Sequence, residues 1–341
     1  MPQVSPALSR RRSPSEILAP LARPLAGLER FIHAQCDAFE PGVADCARYV
    51  AGNQGKRLRP ALGLLSARAC DGRPLDEAEE PLLRACAIVE MVHIATLVHD
   101  DIMDGASLRR SRLTAGAKWG KEISVLLGDC LFAQALVLAA SFPTPEVCRR
   151  VAGAANLVCT GEILQTQRRF DLKLSVEEYL RIIEMKTGAL FALAAELGAQ
   201  QGGANAERAA AFADFGRLLG TAYQVYDDCL DLVGAEKEIG KSLGADLREG
   251  KLTLPVLLLL REVQDSEHHL VSSILLNEHA TGRALLLDFL RKHDAIRAAA
   301  QRAREILRQA ASRLDRCPST PAHQALAETV AYLDEEMAEL K

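Results

Sequence analysis

Residues 79–104 of the chain read EEPLLRACAIVEMVHIATLVHDDIMD. Apolar side chains recur here every three or four residues, which is the period of an α-helix, and they fall on more than one side of that helix. Such a helix is stable only when other helices surround it. The stretch therefore predicts a helical bundle in which one buried helix ends in three aspartates, Asp100, Asp101 and Asp104.

Three further segments are rich in Ala, Leu, Glu and Arg, with apolar residues at helical spacing. They cover residues 123–140, 176–197 and 208–233, and proline and glycine lie between them, where helices end. The sequence has no long alternation of β-branched residues that would start a sheet, and no Gly/Ser linker that would divide the chain. It predicts an all-α fold with one helical domain over residues 25–341, preceded by a mobile arm over residues 1–24.

The composition of the 341 residues is that of a soluble globular protein, with 49% hydrophobic and 25% charged residues. A net charge of −4 gives no reason to expect nucleic acid or an acidic membrane surface as a partner. The nine cysteines include no C-x-x-C pair, which favours reduced thiols. Because the sequence also shows no apolar run of signal-peptide or membrane-spanning length, we expect a cytoplasmic protein.

The spacing D-D-x-x-D occurs twice, in LVHDDIMD (residues 97–104) and in YQVYDDCLD (residues 223–231). Residues four apart lie on one face of a helix, so each motif projects two carboxylates together, with a third beside them. Like charges this close repel each other unless a cation lies between them. Carboxylates without neighbouring His or Cys suit Mg²⁺, which commonly bridges carboxylates to the phosphates of a substrate.

A single acidic triplet is more often a solvated helix face than a metal site. Here the neighbours of both triplets are apolar, and burying carboxylates without partners is costly, so the sequence favours a shared cation site. The helical wheel adds His93 to the face of Asp100 and Asp104, within about 40° of arc, and adds Gln224 to the face of Asp228. A lone histidine is usually a satisfied core residue, but this alignment indicates a polar pocket lining.

Basic residues cluster beside these motifs in a way that suits phosphate groups. Arginine binds phosphate oxygens through two parallel hydrogen bonds, and lysine supplies a compact charge. Each cation alone would be an ordinary surface charge, whereas together with two acidic faces they predict a site for two diphosphate groups. The basic residues are Lys56, Arg57 and Arg59, then Arg109, Arg110 and Arg112, and further along Lys186, Lys241 and Lys251.

In their order along the chain, the motifs resemble those of the trans-isoprenyl diphosphate synthase (polyprenyl synthetase) family. They are GKRLRP, HDDIMD followed by RR, GD within LLGDCLFAQAL, KTG, YQVYDDCLD and GKSLGADLREGKLTLP, which together extend from residue 55 to residue 255. The resemblance implies an all-α bundle around a deep central cavity, a homodimer, and a prenyltransferase that uses Mg²⁺, three ions per active site. One departure is Gln54, which stands where the family usually has the first of two glycines.

The resemblance also implies roles for individual residues. Mg²⁺ bridging an allylic diphosphate would be bound by Asp100, Asp104, Asp227 and Asp231. That diphosphate would also be held by Arg109, Lys186, Lys241 and Lys251. Isopentenyl diphosphate would be held by Lys56, Arg59, His93 and Arg110. Thr187 and Gln224 would face the reacting carbons and steady the allylic cation, while Arg57 lies between two matched positions and its role stays open.

The length of the product depends on the size of the side chains at the bottom of the cavity. In short-chain enzymes of the family, the fourth or fifth residue before the first aspartate motif is commonly aromatic, whereas here these residues are Thr96 and Ala95. Phe132, on a neighbouring predicted helix, is a candidate floor, although it also reads as an ordinary core residue. One helical turn rises about 5.4 Å, close to one isoprene unit, so each unblocked turn admits about one more unit. We expect head-to-tail condensation of isopentenyl diphosphate with an allylic diphosphate such as farnesyl diphosphate, giving an all-trans product of hexaprenyl to decaprenyl length.

Three alternatives stay open. A geranylgeranyl diphosphate synthase is the runner-up. A class I terpene cyclase also has a D-D-x-x-D helix, but its second metal motif usually differs and it needs no isopentenyl diphosphate site. A non-catalytic partner subunit typically loses one aspartate motif, whereas this chain keeps both. Membrane contact would be peripheral at most, since no amphipathic anchor is evident.

Overall fold

The computed structural model describes residues 12–53, 55–233, 244–276, 280–315 and 317–340. Helices follow one another along it with short connections. The first are α1 (Pro14–Leu18), α2 (Ala22–Asp37), α3 (Pro41–Ala51), α4 (Leu58–Asp71), α5 (Glu80–Met103), α6 (Ala115–Trp119), α7 (Lys121–Ala140) and α8 (Glu146–Gln167). The others are α9 (Val176–Ile183), α10 (Ala189–Gln201), α11 (Ala206–Val233), α12 (Ala245–Arg248), α13 (Leu254–Glu262), α14 (Asp265–Leu276), α15 (Ala280–Lys292), α16 (Ala295–Ser312) and α17 (Pro321–Glu339).

α5 is the central helix of the bundle. All its residues from Ala85 to Val92 are buried, and the helix contacts α2, α4, α7 and α10. α10 in turn contacts α4 and α11, and α16 packs along α11. α5 is surrounded by other helices because a helix that is apolar on several sides can bury its apolar surface only when helices pack against each of those sides. The predicted all-α fold is confirmed.

Two local features differ from the predicted arrangement. A short antiparallel pair, β1 (Leu108–Arg109) and β2 (Arg112–Leu113), follows α5, with Leu108 opposite Leu113 and Arg109 opposite Arg112. The helix predicted over residues 176–197 is interrupted by a π-helical turn at Glu184–Gly188. Such turns are rare and often occur at functional sites.

The helical domain begins earlier than the sequence predicts. A mobile arm is expected through residue 24, but α1 and a 3₁₀ turn, Ala19–Leu21, already precede α2. Ile17 and Leu21 are buried, and α1 contacts α17. Pro14 and Pro20 lie at the first positions of helical turns, where a missing N–H costs nothing, so they start the turns instead of preventing them.

The surface of the bundle carries one exposed thiol and one exposed apolar helix face. All nine cysteines are free thiols, and Cys159 on α8 is the exposed one. α5 and α7 are long and apolar enough to cross a membrane by length and composition alone. The apolar part of α5 is 67% buried inside the protein, whereas that of α7 is 39% buried. α7 therefore keeps an exposed apolar face, which includes Ile123, Val125, Leu126 and Val137.

Candidate active site

The first acidic motif lies at the carboxyl end of α5, where Asp104 caps the helix. Burial raises the pKa of Asp100 to about 6; the neighbouring carboxylates of Glu162 and Asp104 act in the same direction and Lys186 opposes them. Burial also acts to raise the pKa of Asp104, but the ammonium group of Lys251 outweighs it and lowers that pKa. The end of α5 thus concentrates negative charge that nearby cations neutralise.

The β1–β2 hairpin returns the chain to this end of α5. Arg110 and Ser111 form its turn with φ of 50° and 61°, the left-handed conformation that a tight two-residue hairpin turn requires. Arg109 Nε donates to Asp101 Oδ1 at 2.7 Å, and Arg110 Nη1 donates to the Asn53 carbonyl at 2.8 Å. The middle aspartate of the motif therefore orients Arg109, which is predicted to bind phosphate.

The second acidic motif lies at the end of α11, and its middle aspartate is also buried. Asp228 accepts a hydrogen bond from the Tyr179 hydroxyl on Oδ2 at 2.5 Å and from the Gln224 amide on Oδ1 at 2.8 Å. The Thr187 hydroxyl donates to Gln224 Oε1 at 2.7 Å. This network fixes the orientation of Gln224 and Thr187, the two residues predicted to face the reacting carbons.

Asp227 and Asp231, both predicted to bind metal, have different surroundings. Asp227 is exposed to solvent on α11. Asp231 is buried and accepts hydrogen bonds from the backbone N–H groups of Ala245 and Asp246 at 3.3 and 3.2 Å. These N–H groups lie in the first turn of α12, so the Asp231 carboxylate caps that helix and fixes the chain segment that leads to Lys251.

The π-helical turn places Lys186 in the same region. Lys186 Nζ forms an ion pair with Glu162 and donates to Gln165 Oε1 at 2.9 Å, and both partners belong to α8. The π turn contacts α8 on one side and α11 on the other. Lys186 and Thr187, adjacent in sequence, are therefore held by different helices, Lys186 by α8 and Thr187 by α11.

A pocket at this end of the bundle brings the motifs together. Lys251 Nζ donates to Asp104 Oδ1 at 3.2 Å, which joins the first acidic motif to the wall of the pocket. The second acidic motif contributes Asp228 directly. The polar and charged side chains in the lining are Gln165, Arg168, Tyr179, Lys186, Gln224, Asp228, Asp246, Lys251 and Thr253. Both aspartate motifs and two of the predicted phosphate-binding lysines thus meet at one pocket.

His93 lies about two helical turns before Asp100 along α5, and Arg59 of α4 lies beside it. Arg59 Nη1 is 3.0 Å from His93 Nε2, and the guanidinium carbon lies 4.8 Å from the centre of the Phe191 ring. Arg59 Nε is buried and has no hydrogen-bond partner within the described residues. Burial, reinforced by Arg59 and other arginines, lowers the pKa of His93 well below its usual value, so the ring is neutral at neutral pH.

Arg57, whose role the sequence leaves open, is a structural residue. Its Nε donates to Glu29 at 2.6 Å and its Nη1 to Glu90 at 2.5 Å, and the side chain also reaches the Ala51 carbonyl. Both ion pairs are largely buried. Arg57 therefore ties the loop before α4 to α2 and α5; Lys56 precedes it in this loop, and Arg59 follows it in the first turn of α4.

Arg110, predicted to hold isopentenyl diphosphate, packs its guanidinium against Gly55, the residue before Lys56, which has the same predicted role. Lys56 is exposed, and a Cβ on Gly55 would lie 2.5 Å from the guanidinium of Arg110. A residue with a side chain would therefore push Arg110 away. Lys241 lies outside the described residues, so its contact with a diphosphate stays a prediction.

The predicted chain-length residues lie between α5 and α7, which are in close contact. Ala95 is buried, and the Thr96 hydroxyl donates to the His93 carbonyl at 2.8 Å. Phe132 is partly buried against the core. Their influence on product length stays a prediction.

The chemistry of the acidic residues fits Mg²⁺. Asp100 and Asp104 offer hard oxygen ligands one helical turn apart, beside groups predicted to bind phosphate. Within the described ranges, no three acidic, histidine or cysteine side chains converge as a complete metal site. Mg²⁺ usually keeps several waters and binds through one or two carboxylates plus substrate phosphates, and a partial protein site of this kind is compatible with that coordination.

Several residues of the site could not be found from the sequence. Tyr179 and Gln165 line the pocket, Glu162 forms an ion pair with Lys186 there, and each occurs without a repeated or motif-like pattern around it. Asp246 is different because it lies within the quoted segment GKSLGADLREGK, three residues before Glu249. Its position in the motif was the one signal that could have indicated it.

Comparison with known proteins agrees with this site. Residues 40–286 match the family model described as polyprenyl synthetase. Octaprenyl diphosphate synthase of Escherichia coli (strain K12) is 32% identical over 308 residues, which cover 89% of this chain and 93% of that protein. The structure of a decaprenyl diphosphate synthase from Rhodobacter capsulatus has a TM-score of 0.86 and 31% identity, and the match covers 95% of this chain and 99% of that one.

A second solved structure shows a ligand. It is a polyprenyl synthase from Caulobacter crescentus CB15 complexed with calcium and isoprenyl diphosphate, with a TM-score of 0.88 and 31% identity, and the match covers 97% of this chain and 99% of that one. Family model, curated relative and solved structures all extend over most of the chain. The chain therefore belongs to the polyprenyl synthetase family of prenyltransferases.

Proposed function

We propose that this prenyltransferase condenses isopentenyl diphosphate with an allylic diphosphate, such as farnesyl diphosphate, to make an all-trans product of hexaprenyl to decaprenyl length. One observation carries the proposal: Lys251 joins the first acidic motif to the pocket that Lys186 and Asp228 line, while Arg59 lies beside neutral His93 as a separate cation. Two phosphate-binding groups suit a reaction of two diphosphates. The octaprenyl and decaprenyl synthases among its relatives support the long product.

The basic side chains at the pocket would stabilise the leaving group. When the allylic C–O bond breaks, negative charge develops on the diphosphate, and fixed cations that face it lower the barrier. Arg109 is held by Asp101, Lys186 by Glu162 and Gln165, so these cations need little reorganisation. Mg²⁺, which we propose as three ions bound through Asp100, Asp104, Asp227 and Asp231, would supply further positive charge at the leaving oxygens.

Thr187 and Gln224 would stabilise the allylic cation. The Thr187 proton is committed to Gln224, so the remaining lone pairs of the hydroxyl oxygen can face positive charge. The isopentenyl double bond then attacks the cation, and the departing diphosphate takes the proton that is lost. The scheme needs no nucleophilic side chain, and burial raises the pKa of the Cys229 thiol beside Asp228, which keeps it protonated.

Incubation of the pure protein with Mg²⁺, farnesyl diphosphate and labelled isopentenyl diphosphate, followed by sizing of the products, tests the proposal. We expect hexaprenyl to decaprenyl products, no turnover after chelation of the metal, and recovery on adding Mg²⁺. Geranylgeranyl diphosphate as the end product would support the runner-up. Hydrocarbon release without isopentenyl diphosphate would support a terpene cyclase, and activity only after adding a second protein would support a partner subunit.

The absence of an aromatic residue at position 95 is the basis for the expected length. Ala95→Phe places a ring where the family's short-chain enzymes commonly have one, so we expect products shortened by one or more isoprene units. Product sizing by chromatography checks this, with thermal unfolding to confirm that the variant is folded. An unchanged product would mean that the floor of the cavity lies elsewhere.

We further propose that the chain forms a homodimer through α7 and α8 and works in the cytoplasm. The exposed apolar side chains of α7, together with Leu157 and Ile163 on the adjacent α8, form a surface larger than scattered single residues would. A second copy of the chain offers the same apolar surface, as a two-fold interface requires. The free thiols support a reducing compartment.

A further inference from the structure

Arg169 follows α8 and points at the first acidic motif, although neither its sequence context nor the family motifs mark it. Its Nη2 donates to Asp104 Oδ1 at 3.4 Å. Its Nε is buried and has no hydrogen-bond partner within the described residues. A buried guanidinium nitrogen without an acceptor is unfavourable, so a site of this kind calls for an additional acceptor.

The backbone around Arg169 is fixed by contacts with the loop that carries Lys251. Phe170 has a φ of 59°, and its N–H donates to the Gly250 carbonyl at 2.8 Å. The Phe170 ring occupies the space beside Gly250, where a Cβ would lie 2.4 Å from it. Gly250 itself has a φ of 73°, which glycine adopts readily.

This junction places two cations side by side. Arg169 precedes Phe170, Lys251 follows Gly250, and both side chains reach the same oxygen, Asp104 Oδ1, at 3.4 and 3.2 Å. Lys251 is a predicted diphosphate ligand, and Asp104 is a predicted metal ligand. Arg169 lies beside Lys251 and Asp104, so it is placed where it could bind the diphosphate that Lys251 is predicted to bind.

A comparison with Arg59 strengthens the argument. Arg59, a predicted ligand of isopentenyl diphosphate, also has a buried Nε without a partner in the described part of the chain. By contrast, the guanidinium of Arg168, next to Arg169, is bound to Asp171 and Glu178 at 2.8 and 2.7 Å. Arg59 and Arg169 share an unmet hydrogen-bonding requirement near a predicted diphosphate site, and Arg168 does not.

We propose that Arg169 is a further ligand of the allylic diphosphate, to which its guanidinium donates through Nε and an Nη group. The planar guanidinium matches two phosphate oxygens, and such charge-assisted pairs are among the stronger hydrogen bonds in proteins. The assignment rests on the proposed function. It adds a cation from the loop after α8 to those from the hairpin, the π turn and the loop before α13.

Binding of farnesyl thiolodiphosphate, an analogue that ionises poorly, tests the assignment by calorimetry at saturating Mg²⁺. We expect Arg169→Gln to weaken binding about tenfold or more, as for loss of a charge-assisted pair, and to leave the affinity for isopentenyl diphosphate unchanged. Arg181→Gln is the matched control, because Arg181 is exposed on α9, and it should bind as the wild type does.

The outcomes separate this assignment from the proposed function. If the wild type binds no farnesyl thiolodiphosphate, both fail. If the wild type and Arg169→Gln bind farnesyl thiolodiphosphate equally well, Arg169 only neutralises Asp104, and the assignment of Arg169 is wrong while the proposed function stands. The assignment is also wrong if Arg169→Gln loses the same affinity for farnesyl thiolodiphosphate and for isopentenyl diphosphate. If Arg169→Gln does not fold, Arg169→Lys takes its place. Because lysine cannot form the paired contact with two phosphate oxygens, we expect a severalfold loss of affinity for farnesyl thiolodiphosphate. Wild-type affinity in Arg169→Lys would reject the assignment.

Discussion

His93 shows how one residue links the site to the stability of the fold. It lies among arginines, with Arg59 at 3.0 Å, and burial together with these charges keeps its pKa well below the usual value. The folded protein therefore holds a neutral imidazole at neutral pH, while the unfolded chain takes up a proton below about pH 6.5. Because the unfolded state then binds more protons, this residue makes stability fall as the pH decreases through that range.

His93→Gln should reduce the acid sensitivity of the fold. Without the imidazole, the loss of unfolding free energy between pH 7.5 and pH 5.5 is expected to be smaller by about 1 kcal/mol, within the limit of about 1.4 kcal/mol per pH unit for one proton. Urea unfolding of wild type and variant at both pH values measures it. Equal losses would show that His93 is protonated in the folded state as readily as in the unfolded chain.

The Tyr179 hydroxyl positions Gln224 indirectly, through its hydrogen bond to Asp228. Tyr179→Phe leaves the buried Asp228 without its 2.5 Å donor, so we expect a loss of about 1–3 kcal/mol in unfolding free energy. Since Asp228 also holds Gln224, kcat should fall, with little change in KM for isopentenyl diphosphate. Tyr226→Phe is the control, because that hydroxyl bonds Glu336 outside the pocket. An unchanged kcat in Tyr179→Phe would contradict the positioning role.

Among the elements, α4 and α10 have the closest backbone contact that affects the site. A Cβ on Gly198 would lie 2.1 Å from the Gly63 carbonyl, and one on Gly202 would lie 2.3 Å from the Ala67 carbonyl. α4 begins beside Arg59, and α10 follows directly after Lys186 and Thr187 in the π turn. The small residues on both helices therefore set the separation between the two groups of side chains that we propose bind phosphate.

Gly198→Ala should force these helices apart. We expect a loss of about 1–3 kcal/mol in unfolding free energy, as overpacking usually causes, and weaker binding of isopentenyl diphosphate. Gly153→Ala on α8 is the matched control, since nothing lies within 4 Å of a Cβ there, and it should be neutral or stabilise the helix by about 0.5–1 kcal/mol. Denaturant unfolding compares them; equal stability of the two variants would contradict the close contact.

The sequence predicts features that depend on neighbouring residues, and it misses features that depend on residues far apart along the chain. Helical period and D-D-x-x-D spacing are local, so the helices, Asp100 and Asp104 could be read directly. The roles of Arg57 and Tyr179 depend on contacts with residues 28 or more positions away, which no local pattern encodes. The β1–β2 hairpin was missed for another reason: its turn uses Arg110 and Ser111 with positive φ instead of the usual Asn or Gly.

For the whole molecule, the exposed apolar face of α7 predicts self-association. Leu126 is 63% exposed on this face, so Leu126→Glu places a charge where the proposed interface excludes water and should convert a dimer into monomers. Light scattering after size-exclusion chromatography measures the mass. Leu270→Glu on α14, at an exposed leucine on another helix, is the control and should stay dimeric. A Leu126→Glu variant with the mass of the wild type would place the interface elsewhere.

The distribution of thiols gives the protein a natural labelling site. Burial raises the pKa of Cys36 to about 11 and of Cys86 to about 12, so these thiols react slowly with electrophiles at neutral pH. Cys159 is exposed on α8, between Leu157 and Ile163 of the proposed interface. A maleimide fluorophore added in limiting amount should therefore attach there first in the monomer, whereas a dimer would shield this thiol. The rate of labelling in the wild type, compared with that in Leu126→Glu, would then report association of two chains without any engineered cysteine.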